Sequence, residues 1–429
     1  MNNQSPRIAA ISLLVRVLDH RQTLDEALAQ DDRFSALEGA DRGFARALVS
    51  ASLRWLGFID HALAPLVSGR PFNGLDAGVK HILRMGVAQI CVLRTPLHAA
   101  VSETVETARF VDDARKAGGL INAVLRKIRP ETLDELDLPA DAIWPDAFRT
   151  RMSEALGEHV AQELAEAAGQ IPPLDLTCPT DRSLWAERLA GEEIGPVSVR
   201  MSEGLVESLP GYENGDWWVQ DVAASLPVQV LAPKNGEAIL DMCAAPGGKT
   251  LQIAASGASV TAVDRAAKRM RLVEQNLKRT GLTANCVTAD ATKWDAPEPF
   301  DGVLVDAPCS ALGTLRRHPE GPWIKQAADL DRFPTIQAKL LETAAAKVKP
   351  GGRLVYCVCT PLPAEGMAIV DAFLDGAEDW QRDAIIGADV PGFESAITDA
   401  GDVLTLPSTC PDERGCDTFF IARLVKAEH

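Results

Sequence analysis

The chain has 429 residues, 46% of them hydrophobic, enough for two or three domains with real cores and too much for a disordered polymer. No run approaches eighteen uninterrupted apolar residues, which excludes a membrane-spanning helix. The net charge of −17 is uneven: residues 1–130 hold 17 Lys/Arg against 13 Asp/Glu, whereas residues 131–235 hold 6 against 20, so charge does not exclude a nucleic-acid partner, which depends on local patches.

The chain opens on RIAAISLLVRVLDH, in which Ile8, Ile11, Val15 and Leu18 recur at helical spacing around Arg7 and Arg16. That pattern predicts an amphipathic helix, not a signal peptide. Nine cysteines, an odd number, are scattered without a framework pattern and point to reduced thiols in the cytoplasm. Up to about residue 130 the periodicity stays helical. Val79, Ile82, Leu83, Gly86, Val87 and Ile90 form one stripe, and Leu120, Ile121, Val124, Leu125 and Ile128 another. A break such as SGRPFNG (68–74) separates such helices. Residues 1–135 therefore read as an all-α domain. Residues 136–235 are acidic and Pro-rich, with a helix over about 144–168 and scattered strand candidates, and read as a connecting subdomain.

From Gly236 strands and helices alternate. The strand candidates are 237–243, 259–264, 286–290, 300–307, 353–358 and 418–425, with helices at 266–279 and 335–348. This predicts an α/β domain over 236–429, with a doubly wound, mostly parallel sheet whose ligands sit beyond the carboxyl ends of the strands.

The chemistry-bearing residues fall at those ends. The first strand runs into Cys243, Ala244, Ala245, Pro246, Gly247, Gly248 and Lys249, small residues that let a backbone approach a ligand before a helix begins. The second ends at Asp264, a carboxylate placed to accept from ribose hydroxyls, and the third at Asp290, placed to reach an adenine edge. A phosphate-binding loop would need glycine at Cys243, and G-x-G-x-x-G is absent, so nucleotide triphosphates and nicotinamides fit poorly. S-adenosylmethionine, with ribose and adenine but no phosphate, fits. The fourth strand ends in Asp306-Ala307-Pro308-Cys309-Ser310 and the fifth in Tyr356-Cys357-Val358-Cys359-Thr360.

AAPGGKT, DAPCS and the second cysteine after strand five together resemble the RNA cytosine-5 methyltransferases. The segment Gly313-Thr314-Leu315-Arg316-Arg317-His318-Pro319 resembles the bacterial RsmB (Sun, Fmu) family, and the helical region is similar to its NusB-like RNA-binding domain. The resemblance implies a Rossmann-like methyltransferase acting on 16S ribosomal RNA. It assigns attack on cytosine C6 to Cys359 and assistance with release to Cys309. Asp306 is placed to support addition at N3, and also stands among the cofactor-loop residues. Attack at C6 makes C5 enamine-like and able to take a methyl group, which is why such chemistry needs a thiolate. A base methylated at C5 must leave its stack, so the target is an unpaired or flipped cytosine.

Two departures from the family stand out. Val358 and Thr360 flank Cys359 where Thr and Ser are usual, and Gly415-Cys416-Asp417-Thr418-Phe419-Phe420 replaces an Asp-Gly-Phe-Phe ending. Arg316, Arg317 and His318, directly after the catalytic loop, are expected to grip RNA. Arg42, Arg46, Arg54, Arg84 and Arg94 form a second basic set, read equally well as an RNA patch or as ordinary surface. Cys91, Cys178, Cys286, Cys410 and Cys416 are read as packing residues. Cys357 and Cys359 are too close for a structural zinc pair, so no metal is expected, and the chain is expected to act as a monomer. Transfer RNA or another ribosomal site is the alternative substrate. The reading from another class is an RNA-binding assembly factor with a relic methyltransferase fold. An amino-group methyltransferase would show an N-P-P-Y type motif at DAPCS.

Overall fold

A computed structural model describes residues 5–202, 204–326 and 330–428. By compactness the chain divides into two units. One holds the residues up to Ile171 together with Leu315–Gln326, and the other holds Pro172–Thr314 and the remainder. The stretch 136–235, expected to be a separate subdomain, is thus shared between the two.

The first unit is helical. Its opening helix, Pro6–Leu18, has proline in the first turn, where a missing N–H costs nothing, and buries Ile8, Ile11, Leu14 and Val17. The next, Leu24–Gln30, starts with a capping box between Thr23 and Glu26. The stripe at 79–90 becomes the helix Ala77–Val87 and a wider π-helical turn over Ala88–Val92. Gly86 lets that helix approach Gly118–Leu125: a Cβ there would lie 2.7 Å from the Leu125 side chain. The single helix expected at 144–168 is two, Asp146–Leu156 and Glu158–Gly169, because Gly157 breaks the run at φ +80°.

The second unit carries two sheets. The strands β1 (Leu174–Thr177), β2 (Glu192–Ile194), β3 (Ser198–Met201) and β4 (Trp218–Val219) form an antiparallel sheet in the order β2-β3-β1-β4. It packs around Leu176, Trp185, Val199 and Trp217. The larger sheet comprises β5 (Ala238–Met242), β6 (Ser259–Asp264), β7 (Asn285–Thr288), β8 (Phe300–Asp306), β9 (Val348–Val358), β10 (Trp380–Arg382), β11 (Val403–Leu404) and β12 (Phe420–Lys426). Its order is β10-β12-β9-β8-β5-β6-β7, with β11 paired to β12. The five strands β9-β8-β5-β6-β7 are parallel, and β12 and β10 close the sheet antiparallel. This is the predicted doubly wound sheet, with an antiparallel edge.

Side chains on both faces of β5, β8 and β9 are buried, among them Ile239, Leu240, Val303, Leu304, Leu354 and Val355. That explains why these strands read as continuous apolar runs in the sequence and not as alternating ones. Strand order reverses between β5 and β8, whose carboxyl ends carry the cofactor loop and Asp306. A crevice at such a reversal is where doubly wound sheets hold ligands.

Candidate active site

The loop after β5 bends sharply. Cys243 and Gly247 have positive φ, and a Cβ on Gly247 would come within 3.2 Å of Val273. Gly248 begins the helix Gly248–Ala255 beside Gln220, which leaves about 3.3 Å for a Cβ. Behind the loop Asp241 is fully buried and accepts from the Thr250 hydroxyl at 2.5 Å, and burial pushes its carboxyl up to about 7. Cys243 lines the same loop, and burial together with Asp306, Asp264 and Asp241 pushes its thiol up to about 12, so it stays protonated.

Asp264 ends β6 as expected. One of its oxygens accepts the Ala245 N–H at 3.2 Å and the other the Ala266 N–H at 2.9 Å, so the carboxylate ties the loop to the second strand. Arg269 reaches the Ala245 carbonyl and lies 3.7 Å from Asp264. Each Asp264 oxygen keeps a second acceptor position for a hydroxyl. Asp290 follows β7, is exposed, and bonds the Thr292 N–H and hydroxyl at 3.0 and 2.7 Å, which hold its carboxyl below the usual range.

Lys249 sits differently from the expectation. It is buried, and its ammonium contacts Asp306 Oδ2 at 2.8 Å and lies 4.9 Å above the Phe419 ring. Burial works against its charge, but Asp306 and the neighbouring thiols hold the proton on more firmly still. Lys249 therefore reaches from the loop after β5 to the end of β8. It is also committed to a carboxylate, where a phosphate-binding lysine would be open to a ligand. This, with the acceptor at Asp264, suits a cofactor of ribose and adenine without phosphate.

The chemical site is assembled by the adjacent strands β8 and β9. The Sγ atoms of Cys309 and Cys359 lie 3.3 Å apart, both half-buried. Either sulfur can donate to the other, and the contact with Cys359 together with burial raises the Cys309 thiol well above its ordinary value. The Cys357 thiol, one residue pair along, donates to Asp306 Oδ1 at 3.7 Å.

The backbone around this pair is pinned. Glu365 Oε2 accepts from the Ser310 N–H at 2.9 Å and from Gln337 at 2.8 Å, and Gln337 also donates to the Pro308 carbonyl. Ser310 donates to Thr360 at 2.9 Å, so the threonine that replaces the family's usual serine keeps a hydroxyl contact. Gly313 donates to the Cys359 carbonyl, and a Cβ there would fall 2.1 Å from the Thr418 carbonyl oxygen. Gln220, Arg269, Gln337 and Glu365 were not foreseen. They carry no local spacing signal, and only the fold brings them to the loops.

The basic triplet belongs to the other unit. Within Leu315–Gln326, Arg316 is only 4% exposed, Arg317 is exposed and His318 is half-buried. Glu320, also buried, accepts the Leu24 N–H at 3.2 Å and lies 3.7 Å from His318. Arg316, expected to grip RNA, is enclosed in this structure with Arg54 nearby. The second basic set divides similarly. Arg54 is buried, bonded to the Ala168 and Gln170 carbonyls, and Arg84 is buried against Asp60 at 2.6 Å. Arg42 and Arg46 are exposed, as is Arg94, which pairs with Asp134.

Among the described residues no group of His, Cys, Asp and Glu is arranged to hold a metal ion, and no helix is long and apolar enough to cross a membrane.

Comparison with known proteins matches residues 228–425 to the family described as 16S rRNA methyltransferase RsmB/F and residues 4–130 to the NusB family. Ribosomal RNA small subunit methyltransferase B of Xanthomonas campestris is 36% identical, covering 98% of this chain and 97% of its own. The protein of that name from Cronobacter sakazakii is 34% identical over 98% of each. A solved methyltransferase homologue from Pyrococcus horikoshii, 25% identical, covers 66% of this chain and 95% of its own with a TM-score of 0.54. The chain belongs to the RsmB/F methyltransferase family. As an RsmB/F protein it is an S-adenosylmethionine-dependent RNA cytosine-5 methyltransferase with a NusB-family helical region.

In this RsmB/F chain Asp264 should matter to cofactor affinity independently of RNA. Asp264→Ala removes an acceptor and the tie to Ala245, and is expected to weaken S-adenosylmethionine binding by roughly 1–3 kcal/mol. Calorimetry on a variant that melts at the normal temperature checks this. Unchanged affinity would remove Asp264 from the cofactor site.

Proposed function

We propose that the protein methylates C5 of one specific cytosine in 16S ribosomal RNA through a covalent bond between Cys359 and the base. The observation that carries this reading is the close Cys309–Cys359 pair beside the Asp306–Lys249 ion pair. S-adenosylmethionine, when bound by the 243–249 loop, Asp264 and Asp290, supplies the methyl group.

The chain's own residues divide the remaining work. Cys359 attacks C6 as the thiolate, the role that the family resemblance gives to the second cysteine after the strand. Addition at C6 is eased by support at N3, which we assign to Asp306, with the Lys249 ammonium holding its carboxyl in place. After methylation a base takes the C5 proton, its electron pair forms the C5–C6 double bond, and the Cys359–C6 bond breaks to return the thiolate, a release that Cys309 assists. Cytosine C5 must be out of its stack for this.

Support for ribosomal RNA comes from the names of the full-length relatives and from the NusB-family match. We assign residues 1–135 to RNA binding, 136–235 to an accessory role and 236–429 to catalysis, by a monomer in the cytoplasm. Of the basic triplet, exposed Arg317 is assigned to a phosphate contact and His318 to its neighbourhood. Mapping 5-methylcytosine in cells with and without the gene tests the reading. One small-subunit site should lose its methyl group and regain it with the wild-type gene but not with Cys359→Ala. Loss from transfer RNA, or no loss anywhere, overturns the proposed substrate.

A further inference from the structure

Cys309 and Cys359 are held in place by different means. Cys359 follows β9 directly, and that strand is fixed on both sides, with Val358 opposite Phe420 of β12 and Cys357 opposite Asp306 of β8. The Cys359 carbonyl also accepts the Gly313 N–H at 3.0 Å. Cys309 lies beyond the end of β8 at Asp306, in a loop that no strand pairing holds. Two side chains distant in sequence hold it instead. Gln337, on the helix Phe333–Ala345, donates to the Pro308 carbonyl at 3.0 Å and to Glu365 Oε2 at 2.8 Å. The same Glu365 oxygen accepts the Ser310 N–H at 2.9 Å. The residues before and after Cys309 are thus fixed by one linked pair of side chains.

That pair is costly. Glu365 and Gln337 are both buried, and among the described residues neither Glu365 Oε1 nor Gln337 Oε1 has a hydrogen-bond partner. A buried carboxylate with one oxygen unpaired destabilises a fold, and apolar side chains of similar volume would fill the space without that cost. What apolar side chains cannot do is fix the directions of the Pro308 carbonyl and the Ser310 N–H, and with them the place of the thiol between. Glu365 is itself anchored to β9. Its carbonyl accepts the Tyr356 hydroxyl at 2.7 Å, and its N–H donates to the Leu362 carbonyl at 3.0 Å.

We infer that Glu365 and Gln337 are positioning residues for the release step, holding Cys309 where it assists the breaking of the Cys359–C6 bond. The inference rests on the covalent reading proposed above. Both residues act through the loop backbone, and the clamp is selective because Cys359 takes its place from the sheet. Losing it should therefore spare attack and methylation and slow release. A reacting group displaced by about 1 Å can lose about 100-fold in rate.

The test uses the full-length protein, S-adenosylmethionine and 16S ribosomal RNA transcribed in vitro. Gln337→Ala and Glu365→Ala should complete the first turnover at the wild-type rate and slow later turnovers by about 10- to 100-fold. Both should accumulate a protein–RNA adduct that survives denaturing electrophoresis, as Cys309→Ala does. Alanine suits the helix that carries Gln337, so this variant tests the clamp even where Glu365→Ala folds poorly. Glu365→Gln keeps a carbonyl oxygen for both hydrogen bonds and should release its product as the wild type does. S-adenosylmethionine affinity should be unchanged throughout. An adduct in Cys309→Ala but in neither alanine variant would overturn this inference and leave the covalent reading standing. Absence of an adduct from Cys309→Ala as well would overturn both. A Glu365→Gln variant that traps RNA as fully as Glu365→Ala would show that the charge acts and not the clamp, and the positioning role would fail.

Discussion

Replacing Cys309 by alanine is expected to leave the protein covalently joined to its RNA, whereas replacing Cys359 should lower methyl transfer by about 10,000-fold or more, the scale on which removing a nucleophile acts. The two failures differ because the cysteines, though 3.3 Å apart, act at opposite ends of the reaction. Without Cys359 no bond to C6 forms. Without Cys309 attack and methylation still proceed, but release slows and the adduct survives denaturing electrophoresis. The adduct should vanish in the Cys309/Cys359 double variant, because Cys359 makes its bond. Reversed phenotypes would make Cys309 the nucleophile. Methylation untouched in both variants would return the two cysteines to a packing role.

Much of the catalytic fold was legible because its strands are bounded by glycine or loop residues and buried on both faces. The candidates at 259–264 and 300–307 became Ser259–Asp264 and Phe300–Asp306. β9 begins earlier than its apolar core suggests, at Val348, because the Gly351-Gly352 pair, which reads as a turn, is accommodated within the strand. The β1–β4 sheet was beyond pattern reading, since its strands have two to four residues and show too few alternations to define a period. At the site, the motifs located Cys309, Cys359 and Asp306 because each follows a strand. They did not reveal the surroundings of Lys249 and Arg316. A Gly-Gly-Lys sequence looks like part of a ligand loop, and nothing local reveals that the lysine turns to Asp306. An Arg-Arg-His run looks solvated, and only the packing of Leu315–Gln326 with the helical unit shows that the first arginine and Glu320 are enclosed.

Lys249→Met is expected to lower kcat by about 100- to 1,000-fold, the usual worth of one preorganised electrostatic contact at the reacting centre, while S-adenosylmethionine affinity changes by less than about threefold. Methionine keeps an unbranched apolar stem near the Phe419 ring but removes the charge 2.8 Å from Asp306. The carboxylate is then left without the cation that holds it in place. Lys249→Arg should fail nearly as badly, because the flat guanidinium cannot reproduce a compact ammonium in a buried pocket. Asp306→Asn should show a similar loss, and the double variant should be little worse than either single one, since both remove the same ion pair. A split of kcat from cofactor affinity distinguishes this role from a structural one. If Lys249→Met binds S-adenosylmethionine tenfold more weakly and turns over normally, the lysine belongs to the cofactor loop after all. Asp306 would then have to support attack at C6 without its cation.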